Sequence, residues 1–305
     1  MAALLPWLMR GIAALLASLL LAAPAPAAAD VLQPDGASGL RAMYTKLGPV
    51  LRNDNPFKGP LYLDSKESPD SLQGDIYAVV SYPFATVRGA LNDPGHWCDA
   101  LILHLNVKYC RRRSEGGGTE LELRIGKKHD QPLRSATRVA FDYRAVAVAT
   151  DYMDIELEAP DGPFDTRNYR ILVEAVPIAG GRTFLHMGYS FSYGAAGRLA
   201  MNIYLGTIAR NKVGFSTTAP TQPGEAPDYI GGLRGLIERN TMRYYLAIDA
   251  YLGALSAPPP EQLEKRLQSW FDATEKYPLQ LHELDREDYL EMKRGEYRRQ
   301  QQAPS

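Results

Sequence analysis

Residues 75–99, DIYAVVSYPFATVRGALNDPGHWCD, decide the fold because their apolar period changes halfway along. Apolar residues in 76–82 repeat every second position, which is typical of a half-buried strand. After Pro83, a favourable first residue of a helix, apolar residues in 84–91 repeat at helical spacing. The stretch therefore predicts a strand that feeds a short helix, and this helix delivers Trp97 to the edge of an apolar core.

Several later segments alternate in the same way, and a glycine turn at 116–118 joins two of them as a hairpin. These predicted strands lie at 101–110, 120–125, 138–145, 153–158, 169–174 and 185–193. Together with 76–82 they predict a curved antiparallel sheet of about seven strands, and such a sheet needs a cover on its apolar face.

The predicted cover is a long helix at 232–255, which three prolines from Pro258 terminate. Its apolar residues fall on one stripe, whereas Glu238, Arg239 and Arg243 lie mostly elsewhere on the helix. The sequence thus predicts an α+β domain in which the sheet wraps round this helix.

The N-terminal residues 1–29 have the pattern of a cleaved signal peptide. Arg10 precedes an apolar run that ends in small residues, and the run is shorter than the roughly 20 residues that a spanning helix needs. An uncleaved anchor is the less favoured alternative. We therefore expect a periplasmic or secreted protein whose mature chain begins near Asp30.

The charge balance argues against nucleic acid as a partner. The chain has 34 Lys and Arg against 35 Asp and Glu, and cleavage would remove only Arg10, leaving 33 against 35. A nucleic-acid surface needs a basic face. The one basic run, Arg111-Arg112-Arg113, is typical of solvated loop charges, with contact to a lipid phosphate as the alternative.

Cys98 and Cys110 are the two cysteines of the chain. In an oxidising compartment such a pair predicts a disulfide, and two buried free thiols are the alternative.

The remaining segments flank the predicted domain at 75–256. Residues 30–74 are expected to form an N-terminal arm with a helix at about 39–52, and 257–305 a C-terminal helical extension. The insertion at 197–216 has helical length and apolar residues on more than one side. It suits either packing against the sheet edge, which we favour, or a lid or membrane-contacting element.

The order of these elements, together with the pattern YPFATVRGALNDPGHW at 82–97, resembles the START-like or SRPBCC superfamily, which has the helix-grip fold. The resemblance covers residues 75–255. It implies a deep cavity between the sheet and the long helix that binds lipids or other hydrophobic molecules. The N-terminal arm, the insertion and the C-terminal helices depart from the superfamily pattern and put the usual entrance in doubt.

The sequence offers no catalytic or metal-binding signature, so no catalytic residue, metal or cofactor is predicted. Alternation places His104 and His186, with the strand carboxylates, on the wetter face of the sheet, away from the predicted cavity. His96 is the histidine that could face the cavity mouth. A general acid or base must reach its substrate in a cleft, which argues against an enzyme.

The predicted cavity lining combines aliphatic side chains with tyrosines, which suit a greasy ligand that has a few polar groups. These residues are Trp97, Leu103, Leu105, Phe141, Tyr143, Ile155, Tyr169, Ile171, Met187, Tyr189, Phe191, Asn240, Tyr244 and Ile248. The function we expect is the binding or carriage of a hydrophobic, lipid-like molecule, with transient contact to a membrane or a membrane protein as an option. The alternatives are a START-like cyclase, isomerase or hydratase, and an interaction module with a filled core.

Overall fold

Among the residues that the computed structural model describes, eight strands form one antiparallel sheet. The described residues are 36–52, 55–115, 117–219 and 226–302, so the predicted signal peptide lies outside them. None of the helices in these ranges combines the length and the apolar character that a membrane crossing requires.

The strands pair in the order β1-β2-β8-β7-β6-β5-β4-β3. They are β1 (Leu61–Glu67), β2 (Ser71–Val80), β3 (Val107–Glu115), β4 (Gly118–Ile125), β5 (Thr137–Val148), β6 (Met153–Asp161), β7 (Thr166–Ile178) and β8 (Arg182–Tyr193). Strands β3 to β8 form a continuous meander, whereas β2 pairs with the distant β8, with Asp75 opposite Gly188.

Of the helices in the described ranges, one precedes the first strand, two lie between β2 and β3, and the other five follow β8. They are α1 (Gly36–Arg52), α2 (Phe84–Leu91), α3 (Pro94–Leu101), α4 (Ala195–Gly206), α5 (Gly232–Ala254), α6 (Pro259–Glu275), α7 (Pro278–Leu281) and α8 (Arg286–Gln302). The expected α+β class with an antiparallel sheet is confirmed.

The two faces of the sheet are both covered, by different helices. Ile76 and Ala78 of β2 belong to the large core that includes α5, so we call this face the inner face. Tyr77 and Val79 point to the opposite, outer face, where they pack with Leu40 and other apolar residues of α1. Alternation along β2 therefore builds two cores at once.

Helix α5 lies against β1, β2 and β8, and it approaches the backbone of β2 closely at Gly74. A Cβ atom at Gly74 would lie 2.3 Å from the hydroxyl oxygen of Thr241 and 3.4 Å from Ile237. The absence of a side chain at this position thus sets the distance between sheet and helix.

The prediction of about seven strands and of a strand at 101–110 was wrong in detail. Leu61–Glu67, placed in the arm by sequence, is the edge strand β1, paired with β2. Residue Leu101 ends α3, turns follow, and β3 begins only at Val107. The alternation was misleading because both sets of positions are buried: Leu103 is 0% exposed and the neighbouring polar His104 only 2%.

The charged residues outside the apolar stripe of α5 are buried as well. Glu238, Arg239 and Arg243 are at most 1% exposed, because α6 and the segment before α5 cover the side that the sheet leaves open. Strand carboxylates do lie on the outer face, but Glu122, Glu156 and others are buried in ion pairs rather than solvated. Arginines from neighbouring strands supply the partners.

His186 was likewise expected to be wet, and it is fully buried on the outer face. Its Nε2 lies 2.9 Å from Oδ1 of Asp75, and its Nδ1 lies 2.9 Å from Oε2 of Glu174. The ring stacks on Tyr77, and the hydroxyl of Tyr152 donates to the other oxygen of Glu174 at 2.6 Å. Burial alone would lower the pKa of His186, but the two carboxylates override it and raise this pKa to about 9.

Replacing Gly74 by Ala should lower the free energy of unfolding by about 1–3 kcal/mol, because the added methyl group overlaps Thr241. Chemical denaturation measures the change. Gly89→Ala in α2 is the matched control, since a Cβ there meets nothing within 4 Å; it should be neutral or stabilising. Equal effects of both substitutions would contradict the close approach.

The charge on His186 should make stability fall as the pH rises. Because the pKa of His186 in the folded protein, about 9, exceeds the unfolded value of about 6.5, its contribution is complete below pH 6.5 and is lost as the pH passes 9. The loss should be on the order of 3 kcal/mol. Urea unfolding at pH 6 to 9.5 measures it, and His186→Gln should flatten the slope; an unchanged slope in that variant would refute the assignment.

Candidate functional site

An aromatic cluster fills the centre of the space between the inner face and α5. The rings of Tyr169, Tyr189 and Phe191 lie side by side on β7 and β8, and Tyr169 stacks on Phe191 at 5.2 Å between ring centroids. Tyr244 of α5 meets Tyr189 at 5.0 Å, and Phe141 of β5 meets Tyr169 edge-on. Alternation on the strands directs all of these rings inward, so they contact one another from opposite walls.

The hydroxyl groups of this cluster are poorly satisfied. Tyr169 donates to the hydroxyl of Thr166 at 2.8 Å, whereas the hydroxyls of Tyr189 and Tyr244 are hydrogen-bonded to no described residue. Burial raises the pKa of both Tyr189 and Tyr244, so both stay protonated. Neither hydroxyl oxygen is fully enclosed, so each is open to a hydrogen bond with a polar group of a ligand.

His104 lies beside the cluster, not on a wet strand face. Its ring stacks on Tyr244 at 4.5 Å, and its Nδ1 accepts a hydrogen bond from the backbone of Asn106. Burial first, and then Arg243, lower the pKa of His104 well below its ordinary value, so the ring is neutral. The proton is then on Nε2, which is buried and has no partner among the described residues.

A group of cations adjoins His104, and we call Lys128, Arg239, Arg243 and Lys212 the basic cluster. Glu283 is the one carboxylate ion-paired to it within the described ranges, at 2.7 Å from Nη2 of Arg243 and in contact with Lys128. The remaining donors reach neutral oxygens: Arg239 the carbonyl of Val213, Lys212 that of His282, and Lys128 the hydroxyl of Tyr204 on α4. The cluster therefore holds more positive than negative charge.

Helix α4 contains only the first half of the insertion at 197–216, because residues 207–216 form turns and irregular backbone. The helix covers this region with few buried residues. Gly197 is its one buried residue, while Leu199 is 61% exposed and Ile203 58%. Tyr204 connects α4 to the basic cluster through Lys128. On the inward side of α4, Met201 and Leu205 are half-buried and pack against the large core. A helix with a single buried residue is held less firmly than the core strands and is suited to move.

The predicted lining residues mostly meet in the one large core. Those buried there are Trp97, Leu103, Leu105, Phe141, Ile155, Ile171, Met187, Tyr189, Phe191, Tyr244 and Ile248, with Tyr143 and Tyr169 packed against it. Asn240 is half-exposed and is not part of that core. The rings contact one another, so a ligand in this space requires them to separate.

Trp97 lies on α3, fully buried, and its indole nitrogen donates to the carbonyl of Leu91 at 2.8 Å. Cys98 is bonded to Cys110 as a disulfide, which joins α3 to β3. His96 is half-buried and contacts the carbonyl of Ala90. Trp97 therefore packs as part of a wall of the core.

Sequence reasoning missed Lys128, His104 and the two arginines of α5 as site residues. Arg239 and Arg243 are four residues apart, so they share one face of the helix. The sequence did contain one signal that could have found them. Several segments lie outside the predicted sheet and must pack against something, and the side of α5 that faces away from the sheet is available to them.

In the run Arg111-Arg112-Arg113, Arg111 and Arg113 lie on the outer face of β3. Arg112 alternates to the opposite face, where its Nη1 lies 3.9 Å from Oδ1 of Asp93. Arg113 pairs with the buried Glu122 at 2.7 Å, and Arg111 lies 3.6 Å from the same carboxylate. Arg111 and Glu122 also line an open cleft of about 390 Å³, together with Arg299 of α8. This cleft lies outside the aromatic cluster.

Comparison with known proteins gives only distant structural likenesses. No protein-family model and no curated protein matches the chain. The structure is similar to that of Ara h 8.0201, with 11% identity over 64% of this chain and 99% of that protein, and a TM-score of 0.35.

Two further likenesses are as remote. Human StAR-related lipid transfer protein 5 is 10% identical over 56% of this chain and 88% of its own, with a TM-score of 0.32. A point mutant of norcoclaurine synthase from Thalictrum flavum is 12% identical over 47% of this chain and 91% of its own, also with a TM-score of 0.32. Scores this low assign no family, so the proposals below depend on the geometry of this chain.

Removing the unpartnered hydroxyls should cost the fold little. Tyr189→Phe and Tyr244→Phe should change the free energy of unfolding by less than about 1 kcal/mol, or stabilise, because no hydrogen bond is lost. Tyr152→Phe is the control, since it removes the bond to buried Glu174 and should destabilise by about 1–3 kcal/mol. Denaturation curves decide; a large loss in either of the first two variants would show that their hydroxyls are bonded.

Proposed function

We propose that this chain is an exported, START-like protein that binds a hydrophobic small molecule between the inner face of the sheet and α5. The observation that carries the proposal is the pair of unpartnered hydroxyls, Tyr189 and Tyr244, inside a cluster of aromatic rings. An interior that served only as packing would gain from Phe at these positions. A molecule with an apolar body and a polar group would pack against the aromatic rings and supply a hydrogen-bond partner to the two hydroxyls.

Entry to this space would occur through movement of α4, which acts as a lid. The helix buries little of itself, and its outward side chains Leu199 and Ile203 give the lid an apolar surface that suits transient contact with a membrane. When α4 lifts, the rings beneath it can separate. The apolar area that the ligand buries then drives binding, at about 25 cal/mol per Å².

Export is proposed from the signal-peptide pattern of residues 1–29. The Cys98–Cys110 disulfide supports it, since disulfides persist mainly in oxidising compartments. A carrier is useful there because a poorly soluble molecule would otherwise have to cross water unaided.

Catalysis receives less support than binding. His104 and Tyr244 contact through their ring faces at a centroid distance of 4.5 Å, and no hydrogen bond joins them. Proton transfer needs the N–H and O–H groups in line, so this stack supports packing or ligand contact.

Binding can be tested with the purified protein in two ways. Native mass spectrometry and solvent extraction should reveal a co-purifying hydrophobic molecule, and an uncharged fluorescent probe such as Nile red should bind saturably at one site. Tyr244→Ala, which widens the interior, should change probe affinity severalfold. Ile203→Ser, on the outer side of α4, is the matched control and should leave the stoichiometry unchanged.

Two results would refute the proposal. One is the absence of both a co-purifying molecule and saturable uptake of the probe. The other is probe binding that Ile203→Ser abolishes and Tyr244→Ala leaves intact, because such binding would occur on the outer surface of α4.

A further inference from the structure

The basic cluster contains more buried cationic charge than the fold provides partners for. Arg239 and Arg243 are each about 1% exposed, yet Nη2 of Arg239 and Nε of Arg243 have no hydrogen-bond partner among the described residues. Arginine cannot escape this cost by losing its proton, as a buried lysine can. An unsatisfied buried guanidinium is therefore a standing cost to the fold.

The electrostatics of the neighbouring groups agree with this geometry. Burial first, and then Arg243, lower the pKa of Lys128 to about 7 and that of Arg239 to about 10. Glu283 partly offsets the shift at Lys128. Each of these shifts has the sign expected of a site that lacks negative charge.

The basic cluster also adjoins the aromatic cluster directly. Arg243 precedes Tyr244 on α5, and His104, which stacks on Tyr244, lies close enough to Arg243 for that charge to lower its pKa. The lid contacts the same place, because Tyr204 of α4 accepts a hydrogen bond from Lys128. A molecule lying against the aromatic rings would thus have one end at the two arginines.

We infer that the ligand is an anionic amphiphile whose carboxylate or phosphate group is held by Arg239 and Arg243, while its apolar body lies among the tyrosines. This inference rests on the proposed function and adds the chemical class of the ligand. Planar guanidinium groups bind such oxyanions through paired hydrogen bonds. The anion supplies acceptors for the unpartnered nitrogens, and α4 closes over it through Tyr204.

The test compares probes of equal chain length in calorimetric titrations: dodecanoate, dodecyl phosphate and the uncharged dodecanol. Wild type should bind the better of the two anionic probes about tenfold or more tighter than dodecanol, as expected for a charge-assisted hydrogen bond in a buried site. Arg239→Met should lose about tenfold in affinity for that anion and keep its affinity for dodecanol. Arg234→Met is the matched control, since Arg234 lies on α5 but donates to Ser65, and it should change neither.

Stability gives a second readout that a purely structural role would not share. Because Arg239→Met removes a buried charge with an unpartnered nitrogen, it should leave Tm unchanged or raise it. A fall in Tm of many degrees, together with an unchanged preference for the anionic probes, would show that the cluster only supports the fold and would overturn the inference.

The other outcomes separate this inference from the proposed function. Equal affinity for charged and uncharged probes would overturn the inference that the ligand is anionic, but it would remain consistent with the proposed binding of a hydrophobic molecule. Failure of all three probes to bind counts against the proposed function itself. A last outcome combines two observations: inorganic phosphate raises the Tm of wild type but not that of Arg239→Met, and the protein shows no preference for the anionic amphiphiles. This outcome would identify a site for free anions and would overturn the inference of an amphiphilic ligand.

Discussion

The rest of the structure depends on the burial of α5 on every side. The inner face of the sheet covers one side of this helix, and α6, α7 and the segment before α5 cover the other. Its charged side chains therefore need partners inside the protein. Glu238 has such partners, since it accepts hydrogen bonds from Ser65 and from the backbone of Phe215 and Ser216.

The two arginines of the same helix contrast with Glu238. Glu238 is satisfied by two segments that converge on it, β1 at Ser65 and the stretch at 215–216, whereas Arg239 and Arg243 each keep a nitrogen without a partner in the part of the chain that the structure describes. The stability of the fold explains why Glu238 has its partners, but it does not explain two buried arginines with unpartnered nitrogens. Buried polar groups that the fold leaves unsatisfied are where a functional explanation is most reasonable.

Sequence patterns predicted the elements whose two sides differ in environment. The change of period in residues 75–99 located β2 and α2, and the apolar stripe at 232–255 located α5 within one residue at its end. The pattern failed where burial is complete. In residues 101–110 side chains of both parities are buried, the polar His104 and Lys108 included, so the alternation of apolar and polar residues did not correspond to a strand with one wet face.

The candidate site was predictable only in its apolar half. Inward-facing tyrosines follow from alternation along β7 and β8, and they do meet in the structure. The basic half comes from separate segments, a loop at Lys128, helix α5 and the turn at Glu283, which no local pattern relates. Charged residues are assigned to water by default, and only tertiary packing shows which of them are buried.

The pairing of β2 with β8 also determines when the interior can exist. Asp75 faces Gly188, so the two strands that complete the grip on α5 are more than a hundred residues apart in the chain. Contacts between such distant residues close large loops and form slowly. The meander from β3 to β8 can assemble through local hairpins, but the enclosed space arises only when the first long strand joins the last. The interior is therefore enclosed by contacts between residues far apart in the chain, the class of contact that forms most slowly.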